Sequence, residues 1–444
     1  MTDRLRKVDE RQGEPYLSVV ATSRNDDHGE GLLARMQVFV SALVSQSIRH
    51  AVPSELVLVE WNPPPDRPPL RDALTWPDDQ GWCPVRIITV QPAIHGSFAH
   101  SDRLPLFQMI AKAACIRRAQ GQFVLTTNIV ILFSDPLMAF LAQRRLLPRR
   151  IYRSDRIDVD RGVPVHGTMD EQLAYCRTHV LRANRADDIQ FVSSDGLPHT
   201  VEEAALTEED ILWRDGSGKS APHLWFRKKL RRTHFGRTMS RLPLWRMLKE
   251  KWHVLPGGRC TDRHTTSACH PLLVHGLAPE DSSCTAISFT ESTVDLLWPL
   301  LLLPDLHLNA CGDFTLMARE TWFDIGGNPE LEMYSLHLDS LALYNAHAHG
   351  VTEVRLSPDM VHYHIEHERG WTPERGRALY ERLEALGIPC MTQGLLARLA
   401  HRLSHGRRSR LSGPEWGLAD YVLPETHIAG SQIVQVPSTS ENRV

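Results

Sequence analysis

The sequence predicts an α/β fold with a mostly parallel central sheet, helices on both faces, and an insertion in the middle of the chain. Short β-branched runs alternate with helix-spaced apolar residues in two blocks, 16–160 and 305–390, and this alternation is typical of parallel sheets. The composition is that of a globular protein, with 42% hydrophobic and 23% charged residues among 444, which excludes disordered and fibrous classes. Polar side chains follow several predicted strands, at the sheet edge where this architecture binds ligands.

The alternation begins with the run LSVVAT at 17–22, which is short and β-branched and predicts a buried strand. Apolar residues at helical spacing over 32–48 predict an amphipathic helix that ends before Pro53. Asp135-Pro136 is predicted to open a later helix, with Asp135 as its N-cap. The remaining predicted elements are strands at 56–60, 86–90, 123–127 and 352–356 and helices at 106–119 and 337–349.

The alternation breaks between residues 160 and 300, where charge is strongly segregated. Residues 187–215 form an acidic run with nine Asp and Glu, and 222–254 form a basic segment with ten Lys and Arg against Glu250 alone. We therefore predict an insertion or small helical subdomain here. The complete predicted organisation is a flexible N-terminal tail (1–15), a first half-domain (16–160), the insertion (161–304), a second half-domain (305–390), and a C-terminal helical segment (391–444) with a polar tail from Gly430 onward.

The basic segment, residues 222–254, interleaves its Lys and Arg with five aromatic residues. That composition suits an interfacial helix on anionic lipid, and a helical face that pairs with the preceding acidic run is the alternative. Nucleic acid is not expected as a partner, because no recognition motif accompanies the charge.

Membrane-spanning and secreted classes are not favoured. The longest apolar run, 294–304, includes Asp295 and Pro299 and is shorter than the ~18–20 residues that a spanning helix needs. The charged start of the chain lacks the apolar core of a signal peptide, and the eight Cys include no CxxC pair. We expect a cytoplasmic protein, with the basic segment giving peripheral contact with the inner face of the membrane.

Four polar segments follow predicted strands, and they are 23–27, 60–62, 126–128 and the His-rich run 361–367. The carboxyl ends of parallel strands share one edge of a sheet, so these side chains are expected to converge there. Singly, the segments have plainer interpretations, for example 23–27 as a helix-capping loop and Glu60 as a solvated strand end.

Three segments together resemble family 2-like glycosyltransferases with a GT-A fold. LSVVATSRNDD at 17–27 is similar to their first strand and loop, and IAKAACIRRAQGQFVLTTN at 110–128 to their helix, turn and strand leading to the metal site. GDFTLMARETWFDIGGNPE at 312–330, followed by HLDSL, resembles their acceptor-side block with a Gly-Gly turn. The resemblance covers about 16–160 and 305–390. It implies an inverting transfer of a sugar from a nucleotide-sugar donor to the hydroxyl of a glycan or lipid-linked acceptor.

The resemblance also implies roles for individual residues. Asp339 matches the general base that takes a proton from the acceptor hydroxyl, and its place in the first turn of the predicted helix 337–349 favours an ionised carboxylate. The alternative is that Asp339 only caps or decorates the helix start. The residues implied to bind the nucleotide sugar are Thr22, Arg24 and Glu60 at the base and ribose, Lys112 and Asn128 near the donor, and Asp313 at sugar hydroxyls.

In such enzymes a D-x-D carboxylate pair holds Mn²⁺ or Mg²⁺ on the donor, and here Asn128-Ile129-Val130 stands in its place. Asn128 offers one neutral oxygen and the Val130 side chain offers none, although these ions prefer oxygen ligands. Three interpretations follow. Mn²⁺ or Mg²⁺ is held by Asn128, His364 and the diphosphate; or Lys or Arg replaces the metal; or the protein is a non-catalytic nucleotide-sugar or glycan-binding relative.

His362, His364 and His367 form the pattern H-x-H-x-x-H. Imidazoles are common zinc ligands, so a zinc hydrolase is a third hypothesis, although no HExxH-like helix accompanies the pattern. The resemblance aligns His364 with a late metal-ligating His, and Trp371 is placed to stack on a sugar face. Each His alone is more often an ordinary half-buried residue.

Overall fold

A computed structural model describes residues 14–186, 188–192, 198–200, 303–367, 373–405, 411–429 and 432–435. Apart from Leu303, these residues belong to the first of two compact units, and the second unit spans 202–274 and 278–303. The basic segment, most of the acidic run and Trp371 lie outside the described residues. The predictions made for them therefore stay predictions.

Strands and helices alternate from Leu17 to the helix that ends at Arg118, and strands are more frequent from Phe123 onward. The strands are β1 (Leu17–Ser23), β2 (Ser54–Trp61), β3 (Val85–Val90), β4 (Phe123–Thr126), β5 (Ile131–Phe133), β6 (Arg150–Arg153), β7 (Arg156–Val159), β8 (Val180–Asn184), β9 (Ile189–Val192), β10 (Pro198–Thr200), β11 (Thr315–Ala318), β12 (Thr352–Arg355), β13 (His362–Ile365), β14 (Glu425–Ala429) and β15 (Gln432–Gln435). The helices are α1 (Leu32–Arg49), α2 (Leu70–Ala73), α3 (Pro92–His95), α4 (Gln108–Arg118), α5 (Asp135–Ala142), α6 (Met169–Thr178), α7 (Arg319–Ile325), α8 (Leu338–Ala348), α9 (Pro373–Ala385) and α10 (Gln393–His405). Within these ranges, no helix combines the length and the apolar character that crossing a bilayer requires.

The larger sheet has nine strands in the order β12-β6-β11-β4-β1-β2-β3-β14-β15. Its centre, β4-β1-β2-β3, is parallel throughout, as the alternation of strands and helices predicts. β11 and β14 run antiparallel to their neighbours on either side, and β12 pairs in parallel with β6. The sheet is therefore mixed, and the prediction of a mostly parallel sheet holds only for its centre.

A second sheet has six strands in the order β10-β9-β8-β7-β13-β5. β13 pairs in parallel with β7, and the other pairs are antiparallel. Residues 161–192, which the charge pattern assigns to the insertion, supply α6, β8 and β9, and a capping box between Thr168 and Glu171 starts α6. Because β8 pairs directly with β7, these residues extend the sheet and are not part of a separate subdomain.

Helix α1 supplies side chains to two hydrophobic clusters. Met36, Phe39 and Leu43 pack in the larger cluster with inward residues of β1 and β2. Val38 and Ala42 join a smaller cluster that includes residues of β7 and β13. Every residue of β1 and β2 is buried, which accounts for the nearly continuous apolar runs of these parallel strands. α1 therefore packs in the hydrophobic clusters of both sheets.

Helix α5 begins one residue earlier than its sequence suggests. Ser134 is the N-cap residue, and Asp135 and Pro136 fill the first turn, so the prediction of Asp135 as the N-cap is off by one position. The Asp135 carboxylate lies instead 3.1 Å from Nε2 of His50, close to the positive end of the helix dipole.

The last described strands complete the larger sheet. β14 pairs with β3 and β15 pairs with β14, so a strand stands at 432–435 where a polar tail is predicted. The buried Arg86 of β3 contacts Glu55 and Glu425, with nitrogen–oxygen distances of 2.8 Å to both. One guanidinium thus offsets two carboxylates, and this ion pair anchors β14 to the sheet.

The Gly-Gly turn after α7 has both glycines in the left-handed region. φ is 79° at Gly326, the C-cap residue, and 72° at Gly327, and glycine adopts this region without the penalty of a Cβ. A Cβ at Gly327 would lie 2.5 Å from Cε3 of Trp416, whose ring packs on Phe323 at 5.1 Å. Position 327 therefore requires glycine both for its dihedral angle and for space.

Gly327→Ala is expected to lower the free energy of unfolding by about 2–3 kcal/mol, because a Cβ destabilises the left-handed backbone and forces the Trp416 ring to move. Gly413→Ala is the matched control, since a Cβ added there has no heavy atom within 4 Å. Urea unfolding followed by circular dichroism measures both variants. Equal stability of the two would contradict the packing described for Trp416.

Candidate functional site

Asp313 lies at the centre of a polar network at the carboxyl end of β4. Its carboxylate accepts hydrogen bonds from Nδ2 of Asn128 at 2.5 Å and from Nη1 of Arg156 at 2.7 Å. Its main-chain oxygen accepts another from the hydroxyl of Thr127 at 2.7 Å. Asp313 is only 4% exposed, and it joins the end of β4 to β7 of the six-stranded sheet.

The loop that carries Asp313, residues 307–314, is held by Arg153 of β6. Arg153 is fully buried and donates to the main-chain oxygens of His307 and Asn309 at 3.0 and 2.9 Å. A guanidinium can donate several hydrogen bonds in a fixed geometry, so this single side chain sets the path of the loop. The position of Asp313 follows from that path.

The charge of Asp313 depends on Arg156. Burial alone would raise the pKa of Asp313, but the Arg156 guanidinium, with smaller contributions from His364 and His362, holds this pKa well below its usual range. Burial would also lower the pKa of Arg156, but Asp313 and Asp158 outweigh that effect and raise it. Both groups are therefore charged at neutral pH, and each serves as the partner that a buried charge requires.

Asp158 forms the second part of the network, on the same face of β7 as Arg156. It is fully buried, and its carboxylate contacts Nε of Arg156 at 2.8 Å, Nε of Arg182 at 2.5 Å and Nδ2 of Asn184 at 2.9 Å. Nδ1 of His364 lies 3.1 Å from Oδ1 of the same carboxylate. Contacts therefore run continuously from Asn128 through Asp313, Arg156 and Asp158 to His364, which connects three of the predicted site residues.

Lys112 of α4 contacts the loop that carries Asp313. Its ammonium donates to the main-chain oxygen of Gly312 at 2.7 Å, and only 1% of the residue is exposed. Burial lowers the pKa of Lys112, while the Asp313 and Asp339 carboxylates favour its charged form. Lys112 thus lies with two other predicted site residues, but its hydrogen bond to Gly312 holds the loop.

Asp339 lies in the first turn of α8, as predicted, and packs against the same loop. A Cβ added at Gly312 would come within 2.8 Å of Oδ2 of Asp339, so glycine is needed there for the carboxylate to approach. Oδ1 accepts from the main-chain NH of Ser340 at 2.8 Å, which is the helix-start contact named as the alternative. The Asp339 residue is partly exposed.

Thr22 and Glu60 each lie one residue before the end of neighbouring strands, β1 and β2, and the side chains of both make hydrogen bonds within the fold. The hydroxyl of Thr22 donates to the main-chain oxygen of Val59 at 3.2 Å, and Glu60 accepts from the NH of Leu70 at 2.7 Å. Glu60 is 2% exposed, and burial raises its pKa. The interpretation of Glu60 as a solvated strand end is therefore wrong, because its carboxylate holds the start of α2.

Arg24, just after β1, is paired within its own loop but has hydrogen-bonding capacity left. Its Nε atom is buried and makes no hydrogen bond, and it lies 3.6 Å from the Asp26 carboxylate. In the same loop Asp27 accepts from the NH of Leu32, the first residue of α1, at 3.0 Å. The loop 23–27 therefore helps to start α1 and also presents one incompletely bonded guanidinium.

The D-x-D position does not fit a metal ion. Asn128 donates from Nδ2 to Asp313 and accepts at Oδ1 from Gln108 at 2.9 Å, so both ends of its amide are engaged. The Val130 side chain is buried in the larger hydrophobic cluster, and its main-chain oxygen accepts from the NH of Ile365 at 2.9 Å. Mn²⁺ and Mg²⁺ need oxygen ligands, and the side chains at this position offer only the Asn128 amide oxygen, which already accepts from Gln108.

His362 and His364 share one face of β13, as the strand period requires, but their surroundings differ. His362 is fully buried, stacks on Phe314 with ring centroids 5.6 Å apart, and places Nδ1 3.2 Å from the hydroxyl of Ser154. Burial is the main reason that the pKa of His362 falls to about 3. His362 therefore belongs to the core, and the three histidines do not come together as the zinc site that the third hypothesis requires.

His364 belongs to a different group, together with Asp158 and Glu366. Their ligand atoms lie within 4.8 Å of one another, and among the described residues this is the group of side chains placed to hold a metal ion. The group borders a cleft of about 350 Å³. The cleft is lined by Asp158, Asp160, Arg161, Leu181, Arg182, Phe191 and Glu366.

Four residues of the network, Arg156, Asp158, Arg182 and Glu366, are missed by reasoning from the sequence. Arg156 and Asp158 stand two residues apart in RIDV, and that spacing places opposite charges on one face of a strand. This is a signal that could have indicated a buried ion pair. Glu366 lies inside the His-rich run, where the histidines drew the interpretation toward themselves. No pattern in the sequence around Arg182 indicates a functional residue.

Comparison with known proteins supplies no family for this chain. No family model matches the sequence, and no curated protein matches it. Any function assigned to the chain therefore depends on the geometry around Asp313 and on the resemblance of its three segments, and fold class alone does not decide between activities.

Asp313→Asn is expected to lower the free energy of unfolding by about 3 kcal/mol at pH 7, because Arg156 stays buried with one carboxylate fewer. The pKa of folded Asp313 lies below the ~3.9 of an unfolded Asp. Its stabilising contribution is therefore present above about pH 4 and is lost as the pH falls, so the difference from wild type should shrink at pH 3. Urea titrations at both pH values measure this, with the exposed Asp78→Asn as control; a difference independent of pH would contradict the ion pair.

Proposed function

We propose that this protein is a glycosyltransferase of GT-A-like architecture, which moves a sugar from a nucleotide-sugar donor to the hydroxyl of a glycan or lipid-linked acceptor. One observation carries the proposal. Lys112, Asp313 and Asp339, which are far apart in the sequence, meet at one loop beside the carboxyl end of β4. Parallel strands present ligands at this edge, and here the resembling segments 110–128 and 312–330 come together.

Arg24 is the residue proposed to contact the donor directly. Its buried Nε makes no hydrogen bond, and an oxygen of the nucleotide would satisfy it with a charge-assisted one. Thr22, Glu60 and Lys112 act through the backbone segments that they hold, because their polar atoms already bond to main-chain groups. In this proposal, most of the residues that the resemblance assigns to the donor pocket therefore shape it indirectly.

Asp339 is proposed as the general base. Its carboxylate takes the proton of the acceptor hydroxyl as the hydroxyl oxygen attacks the anomeric carbon of the donor sugar. A bond forms between that oxygen and the anomeric carbon, and the bond from the anomeric carbon to the diphosphate oxygen breaks. The nucleoside diphosphate leaves with the electron pair, and the single displacement inverts the anomeric configuration.

No step is assigned to a metal at the D-x-D position, because Asn128 and Val130 do not fit one. The charge on the departing diphosphate is instead offset by cations of the chain. Arg24, which the resemblance assigns to the base and ribose, is proposed here for this second role, since its side chain is only 13% exposed and a guanidinium binds phosphate oxygens strongly where water is excluded.

A non-catalytic nucleotide-sugar or glycan-binding relative is the second candidate, and the burial of Val130 favours it. Val130 packs in the larger hydrophobic cluster, so the segment after β4 serves the core at the position where the D-x-D pattern has a metal ligand. A panel of UDP-, GDP- and dTDP-sugars separates the two candidates. A transferase releases a nucleoside diphosphate from one of them, whereas a binding relative returns the donor intact.

Asp339→Asn is expected to retain donor binding and to lose transfer by at least about 100-fold, because a general base contributes roughly 10²–10⁴ in rate. Calorimetry measures the affinity for the donor, and release of nucleoside diphosphate measures transfer. Asp135→Asn is the matched control, since Asp135 also lies in the first turn of a helix, and it should leave transfer unchanged. Transfer near the wild-type rate in Asp339→Asn would refute the assignment and leave Asp339 with its helix-start contact alone.

A lipid-linked acceptor would place the enzyme at the inner face of the membrane, in peripheral contact through the basic segment 222–254. Ten basic side chains interleaved with aromatic residues should attract anionic headgroups. Co-sedimentation with liposomes is therefore expected to require anionic lipid and to weaken as salt concentration rises. Binding that is the same with neutral lipid would remove this part of the proposal and leave the soluble glycan as the acceptor.

A further inference from the structure

We infer that Asp158, His364 and Glu366 form a binding site for a divalent transition-metal ion, separate from the D-x-D position. Asp158 lies on β7, His364 on β13, and Glu366 directly after β13, and β7 and β13 are adjacent parallel strands. The inference does not depend on the proposed glycosyl transfer, because it concerns the binding of the ion alone.

The three side chains offer a donor set that such an ion prefers. Two carboxylates and one imidazole suit Mn²⁺, Fe²⁺ and Zn²⁺, with metal–ligand bonds of roughly 2.0–2.2 Å. Two atoms bound to one ion therefore lie at most ~4.4 Å apart. Since the ligand atoms are already within 4.8 Å of one another, shifts of a few tenths of an ångström complete the site.

Two of the ligand groups have buried atoms that make no hydrogen bond. Oδ1 of Asp158 and Nδ1 of His364 face each other at 3.1 Å as an ion pair, in an arrangement that gives neither atom a well-aligned hydrogen bond. Nε of Arg156 approaches Oδ1 at 2.8 Å as an ion pair. The His364 residue is 7% exposed. Because buried polar atoms are normally hydrogen-bonded, an ion beside this pair that contacts both atoms would supply the bonds that they lack.

Arg182 competes with an ion for the same carboxylates. It contacts Asp158, and its Nη2 atom lies 3.6 Å from the Glu366 carboxylate. Its guanidinium lies over Phe191 at 5.7 Å, along the wall of the cleft. Removing this charge should therefore strengthen metal binding, whereas a purely structural ion pair predicts no metal binding with or without Arg182.

The test is a titration of Mn²⁺ alone into the full-length protein, followed by the paramagnetic resonance signal of the free ion. Wild type is expected to bind a single equivalent, and Arg182→Met should bind at least about 10-fold more tightly. Asp158→Asn, His364→Gln and Glu366→Gln should each weaken binding by at least about 10-fold, since even residues that only support metal ligands have effects of this size. Zn²⁺ should displace the bound Mn²⁺, because such sites favour Zn²⁺.

Asp160→Asn is the matched control, since Asp160 lines the same cleft without being a proposed ligand, and it should bind Mn²⁺ as wild type does. Thermal unfolding without metal checks that each variant folds, and tighter binding by Arg182→Met cannot arise from misfolding. The inference is overturned if wild type binds neither Mn²⁺ nor Zn²⁺ stoichiometrically. It is also overturned if the three ligand variants bind as tightly as Asp160→Asn.

Discussion

Arg156 binds two buried carboxylates at once, and the arrangement of the candidate site depends on this interaction. Its contact with Asp313 at 2.7 Å holds the loop beside β4 of the larger sheet, and its contact with Asp158 at 2.8 Å lies within β7 of the smaller one. A buried charge left without its partner costs several kcal/mol, so neither carboxylate can be lost without disturbing the other. The two sheets are thus joined by charge at the site and by hydrophobic side chains of α1 beneath it.

The same interaction explains why Asn128 and Val130 are compatible with an ordered site. A carboxylate does lie at the end of β4, but Asp313 supplies it from the loop before β11. An aspartate at position 128 would set a second negative charge against it, at the 2.5 Å that the Asn128 amide now bridges with a hydrogen bond. Val130 in turn suits the apolar surroundings of β5. Asn128 and Val130 depart from the D-x-D pattern, but each suits its contacts in this fold, which are a hydrogen bond for Asn128 and apolar packing for Val130.

Much of the fold could be predicted, because the burial of a strand or helix determines the local pattern of apolar residues in its sequence. β1 is β-branched and buried at every residue, and the helical spacing in α1 matches the side chains that pack. β14 could not be predicted, because its pairing with β3 is a contact across most of the chain. In the site, Asp313 and Asp339 could be proposed from short motifs. The role of Asp158 could not, because it follows from which charges are buried together.

The pairing of β14 with β3 also has a consequence for how the chain folds during synthesis. Arg86 and Glu425 are separated by 339 residues, so translation at ~5–20 residues per second takes on the order of 20–60 seconds between them. During that interval the parallel core can assemble, but the backbone groups along the outer edge of β3 lack the strand that covers them. Exposed strand edges are templates for pairing with other chains. The edge of β3 therefore stays available for pairing with other chains until β14 has been synthesised. Protection of this fold against aggregation at that edge comes only late in synthesis.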